Sequence, residues 1–194
     1  MTHSIFKSIK LINPATNFNQ KVNVVIQNET IVIISKDLNL EKFNKDNQTI
    51  IYDCEGLTMS PGIFDMRVNI GKTENLKFTQ ITAAESGITS MAILPNQTPK
   101  LNNPSIIDHI KRQSEDINLP KIMVYGAATK DLNNLEMSEI GLMSEMGAIG
   151  FTNGNKSIKN SLVMRRLMSY ASMINRPIIP VSYTHLTLPT SSQV

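Results

Sequence analysis

From Pro61 to about residue 180, short apolar runs alternate with stretches of helical spacing, and this constrains the fold more than any other feature. The apolar runs are "GIFDMRV", "ITSMAIL", "KIMVYGA", "GAIGF" and "RPIIPV". Between them, residues 75–86 read as a helix stopped by Gly87, and "NPSIIDHIKRQSED" as a second, with Pro104 near its start and apolar residues at 106, 107 and 110. "NLEMSEIGLMSEM" is expected as a third helix and "SIKNSLVMRRLMSYASMI" as a fourth, with Val163, Leu167, Tyr170, Ala171 and Ile174 on one stripe. Strict strand–helix alternation implies parallel strands covered by helices. No GxGxxG or P-loop pattern is present, so a (β/α) barrel is favoured over a nucleotide-binding doubly wound sheet. In such a barrel the active residues are expected where strands end.

The first 60 residues have a different texture. "FKSIKLI" alternates, "KVNVVIQ" and "ETIVIIS" are β-branched, and "QTIIYDCEG" is a further β-like run. Asn28 and Glu29, between the second and third runs, suit a tight hairpin. The polar stretch "KDLNLEKFNKDNQ" lacks a clear period and reads as a loop or a frayed helix. The expected organisation is an N-terminal β-domain over 1–60 and βα units over 61–180.

Composition excludes several function classes. A chain that is 41% hydrophobic and 18% charged is globular rather than disordered. A net charge of +3 without a Lys/Arg cluster gives no case for nucleic acid, and an Asn-, Ile- and Lys-rich bias accounts for the pI near 9.0. "MTHSIFKSIKLINP" is too polar for a signal peptide, and no run approaches a transmembrane span. The single Cys54 excludes an intrachain disulfide and fits a reducing compartment. The expectation is a cytoplasmic protein.

Four stretches, in order, carry a more specific signal: "DCEGLTMSPGIFDMRVNIG", "AAESGITSMAILPNQTP", "YGAATKDL", and "MSEIGLMSEMGAIGFTNG". Together they resemble the dihydroorotase branch of the metal-dependent amidohydrolases, over roughly residues 5–180. The resemblance implies an α/β fold: an incomplete (β/α)8 TIM-type barrel, about its first half, preceded by a small β-sandwich-like domain. Asp65, Arg67 and Asn69 are two apart, so on a strand they would share one face. In this family, positions 67 and 69 would carry two metal-binding histidines. Arginine has no lone pair to offer zinc and stays protonated, and an asparagine amide oxygen is a poor exchange for imidazole. The family's substrate-binding arginine falls at Gly71, and its bridging Asp-Asp-Gly at Asn153, Gly154 and Asn155. Of the substrate-facing positions only Asn96 is kept. Without a metal, nothing evident lowers the pKa of an attacking water.

The resemblance therefore implies a degenerate metal site at Arg67, Asn69 and Asn153, no intact catalytic residue and no bound zinc, the cofactor of active relatives. "GFTNGN…VMRRLMSYA" is similar to the non-catalytic dihydroorotase-like proteins, whose implied partner is aspartate carbamoyltransferase, in an oligomeric complex serving pyrimidine biosynthesis. The alternative is an active dihydroorotase or related cyclic amidohydrolase with a divergent site. A third reading makes Arg67 and Asn96 a small-anion site.

Other candidates have plainer readings. A cation at the barrel mouth needs an anion or a partner, and Asp65 is the expected partner of Arg67. His109 is expected on the solvated face of its helix, His3 in a loose terminus, Lys130 in a solvated loop rather than as a carbamylated metal bridge, and Cys54 in the core. A family histidine would fall at Val181, yet the chain continues "VSYTHLTLPTSSQV". That stretch resembles translated sequencing-adapter read-through, so 181–194 is expected to be non-native and His185 to carry no weight.

Overall fold

The computed structural model describes residues 3–39, 43, 49–115 and 119–181. The readings of 182–194, His185 included, and of most of the polar stretch 36–48 lie outside the described residues. The chain divides into two compact units, Met1–Pro61 and Gly62–Val194.

In the first unit, β1 (His3–Asn13), β2 (Phe18–Gln27), β3 (Thr30–Ser35), β4 (Thr49–Asp53) and β5 (Thr58–Met59) form one mixed sheet. Its order is β3-β2-β1-β4, with β5 also on β1. β1–β2 and β2–β3 are antiparallel, whereas β4 and β5 run parallel to β1. The described residues thus supply a single β-layer of the expected sandwich-like domain. Asn28 and Glu29 take φ of 47° and 66°, the pair of left-handed conformations that a two-residue hairpin requires. Ile9, Leu11, Val22, Val24 and Cys54 are buried together. His3 opens β1, opposite Gln27 and Thr49, and so is not a loose terminus. "ETIVIIS" reads as a buried run, yet Ile31, Val32 and Ile34 are about half exposed, because β3 is an edge strand paired only with β2.

The second unit holds β6 (Ile63–Val68), α1 (Leu76–Glu85), β7 (Ile88–Ile93), α2 (Pro104–Glu115), β8 (Lys121–Ala127), α3 (Ile140–Glu145), β9 (Ala148–Thr152) and α4 (Ser161–Met173). The four strands are parallel in the order β6-β7-β8-β9. The strand period of two splits their side chains between two faces. Met91, Ile93, Ile122, Val124 and Phe151 pack toward the helices with Ile107, Ile110, Met143 and Leu167. Ala92, Leu94 and Tyr125 form a smaller cluster on the other face, with Met123, Ile149 and Ile179. Gly62 is needed before β6 because a Cβ there would collide with the Thr89 side chain.

Three elements differ from the sequence reading. The third helix keeps only its last part, because Asp131, Leu132 and Asn134 all take positive φ and hold the preceding segment in a loop. The fourth helix begins at Ser161. Asn160 stops it from starting earlier by accepting hydrogen bonds from the Leu162 and Val163 N–H groups at 3.0 and 3.3 Å. "RPIIPV" contributes one parallel bridge, Phe151–Ile178, rather than a full strand among the described residues. On α4, Val163, Leu167 and Ala171 are buried as the stripe predicts, while Tyr170 stays partly exposed.

Candidate site at the strand ends

The C-terminal ends of β6 and β9, the two outer strands of the sheet, are tied by one side chain. The Arg67 guanidinium donates through Nη2 to the Gly154 carbonyl at 3.2 Å and to Asn155 Oδ1 at 3.1 Å. Its expected partner takes another role: Asp65 Oδ1 accepts from the Arg67 backbone N–H at 3.0 Å. No ion pair to Arg67 occurs among the described residues. The cause is local. Asp65 pairs with Met91 but Val68 with Ile93, so β6 carries one extra residue at this point, a bulge. The bulge and the end of β6 at Val68 also break the expected common face of Asp65, Arg67 and Asn69. Asn69 lies past the strand and turns its Oδ1 onto the Gly71 N–H at 3.1 Å.

Asn153 is 1% exposed and its amide is fully used. Oδ1 accepts from the Thr129 N–H at 3.1 Å and from Thr129 Oγ1 at 3.2 Å. Nδ2 donates to Thr129 Oγ1 at 2.9 Å and to Asn134 Oδ1 at 2.8 Å. The Thr129 backbone can only donate, which fixes the orientation of the amide.

Asn96 lies against the same loop. A Cβ at Gly154, whose φ is +63°, would sit 2.6 Å from Asn96 Oδ1, so this close approach requires glycine. Asn96 Oδ1 is buried with no hydrogen-bond partner among the described residues. The structure thus gathers Arg67, Asn96, Asn153 and Asn155 around Gly154 and leaves Asn69 to a local turn.

Two residues here carried no signal in the sequence. Gln97 is 2% exposed; it accepts from the Ile70 N–H at 3.1 Å and donates to the Leu94 carbonyl at 2.8 Å, joining the loops after β6 and β7. Thr129, fully buried, is the hub on which Asn153 rests. Their position one or two residues past a strand end was the only available clue.

Lys130 is exposed and pairs with Glu136 at 3.0 Å. The hydrogen bond and then the charge of Glu136 raise its pKa, which works against the neutral amine that carbamylation needs. His109 is exposed on α2, and Cys54 is buried in the other unit's core.

Zinc does not fit this donor set. Arg67 offers only donors, while the amide oxygens of Asn69 and Asn153 are already bonded to N–H groups. Among the described residues, no three His, Cys, Asp or Glu side chains are grouped to hold a metal.

The parallel sheet with covering helices matches solved amidohydrolases. L-hydantoinase (dihydropyrimidinase) from Arthrobacter aurescens superposes with a TM-score of 0.71 at 18% identity, covering 92% of this chain and 40% of that one. N-acyl-D-glutamate deacylase from Bordetella bronchiseptica gives a TM-score of 0.57 at 14% identity, over 89% and 43% of the two chains. The fold is that of the N-terminal part of an amidohydrolase. In sequence, the chain is 26% identical over 180 residues to the dihydroorotase of Syntrophus aciditrophicus (strain SB), covering 90% of this chain and 41% of that one. It is 29% identical over 178 residues to the dihydroorotase of Endomicrobium trichonymphae, covering 89% and 40%. No family model matches. The chain is a distant homologue of dihydroorotase-like amidohydrolases and spans about 40% of the length of the curated relatives it matches.

Proposed function

We propose that the chain is part of a dihydroorotase-like protein that has lost metal-dependent hydrolysis and serves pyrimidine biosynthesis in the cytoplasm as a structural partner of aspartate carbamoyltransferase. One observation carries the loss of hydrolysis: the Arg67 guanidinium reaches from β6 into the loop after β9, where the resemblance expects a metal between histidines and a carboxylate. Asn153, at the bridging position, spends its amide on Thr129 and Asn134 and has no charge to give a cation. The partner rests on the resemblance of "GFTNGN…VMRRLMSYA" alone. The rival reading, a working cyclic amidohydrolase, draws on the names of the relatives.

Metal analysis of the full-length protein, purified without chelator, separates the two readings. The expected result is no stoichiometric zinc and no dihydroorotate hydrolysis. Arg67→His with Asn69→His should restore neither, since Gly71 and Asn153 remain. Near-stoichiometric tightly held zinc, or turnover in that double variant, would refute the loss of hydrolysis. Co-expression of the full-length protein with aspartate carbamoyltransferase tests the partner: a shared, shifted size-exclusion peak is expected, and two separate unshifted peaks count against it.

A further inference from the structure

Two flanks of the second unit are open. Among the described residues β6 pairs with β7 alone, and a groove of about 250 Å³ lies between β6 and α1, with Asp65, Thr82, Met91 and Phe78 in its walls. Phe78 is 73% exposed. At the far side, residues 177–179 bond to β9 alone, through Pro177 O and the Ile179 N–H. A groove of about 270 Å³ lies between them and α4, with Met164, Met168 and Arg176 in its walls. Met168 is 59% exposed.

The flanks complement each other. Both edges belong to one parallel sheet, so rotating a second copy by half a turn about the axis around which such a sheet curls keeps every strand direction. Each β6 edge then meets the partner's 177–179 edge, and closure removes the open rows of backbone N–H and C=O groups. The apolar knobs alternate with apolar hollows: Phe78 of α1 faces the α4 groove, and Met168 of α4 faces the α1 groove. The charges are opposite, with Asp65 in one groove and Arg176 in the other. Neither of these two side chains has an ion-pair partner among the described residues.

We infer that this chain docks with a second copy of itself, the β6–α1 flank of each copy against the α4 flank of the other, in a two-fold dimer that closes the sheet. The contact is reciprocal, as two-fold symmetry requires. The inference rests on the fold alone and stands whether or not the strand-end site is catalytic.

Light scattering on the 194-residue chain at micromolar concentration should give twice the monomer mass of 21.6 kDa. A Phe78→Cys chain mixed with a Met168→Cys chain and mildly oxidised should then form a mixed disulfide dimer, while neither variant alone cross-links above background. Both positions are exposed, so neither change threatens folding, and the native Cys54 is buried. A monomeric mass overturns the inference. So does preferential linkage of Phe78→Cys to itself, or a ladder of larger species, since either means that the flanks do not close on each other.

Discussion

Replacing Asn153 with aspartate restores a carboxylate at the expected bridging position, and the surroundings make that change costly. The Thr129 N–H would still donate to Oδ1. The atom replacing Nδ2 becomes an acceptor facing Thr129 Oγ1 and, 2.8 Å away, Asn134 Oδ1. The threonine hydroxyl can rotate to donate, so one contact is recoverable. The other sets two oxygens against each other unless the Asn134 amide turns over. Losing a hydrogen bond costs about 1 kcal/mol, and leaving a buried charged group under-satisfied adds roughly 1–3, so a loss of about 2–4 kcal/mol is expected at neutral pH. Burial raises the carboxyl pKa in the folded state above its unfolded value. The folded variant therefore binds the extra proton more readily, and stability falls as pH rises from the unfolded pKa through the folded one. The penalty should be full at neutral pH and fade as the solution is acidified to about pH 4. Urea denaturation of parent and variant, at one protein concentration and several pH values, reads both size and direction. A variant as stable as the parent at neutral pH would refute the amide's structural role. A penalty that grows on acidification would mean that the new carboxylate is held ionised, with Arg67 the nearest candidate to pair with it.

Three further outcomes follow from single contacts. Asn160→Ala removes the cap of α4 and should cost about 1 kcal/mol in denaturant unfolding. Phe151→Ala, in the fully buried centre of the helix-side core, should cost about 3–5 kcal/mol and lower the thermal midpoint accordingly. Glu136→Gln should bring the Lys130 pKa down toward its ordinary value in an NMR titration, with no measurable change in stability, because the pair is solvent-exposed.

The fold was legible where a period carries it. β8 spans the seven residues of "KIMVYGA", and the Asn28–Glu29 hairpin forms where a two-residue turn was expected. Legibility failed where one backbone angle decides the outcome. Nothing in the apolar spacing of "NLEMSEIGLMSEM" announces that Asn134 takes φ of +67° and keeps the start of that stretch out of α3. The same holds at the candidate site. The family pattern drew attention to Arg67, Asn69, Asn96 and Asn153, but the bulge that separates the Arg67 guanidinium from the Asp65 carboxylate lies in the strand register, which residue identity does not encode. Gln97 and Thr129 were missed because an isolated polar residue past a strand looks the same whether it is solvated or serves as a buried tie.

The way the strand ends are held bears on why a frame could outlast its reaction. A zinc ion joining β6 to β9 would stabilise both ends only while its ligands are deprotonated and metal is supplied. Here the same ends are joined by a guanidinium that stays protonated over the physiological range and by amides that do not titrate. Gln97 ties the loops after β6 and β7 in the same neutral fashion. The local geometry is therefore independent of both metal and pH. An amidohydrolase frame that gave up its metal without such ties would leave its strand-end loops unheld. With them, the surface around Gly154 keeps its shape, and a role that depends on shape survives the loss of chemistry.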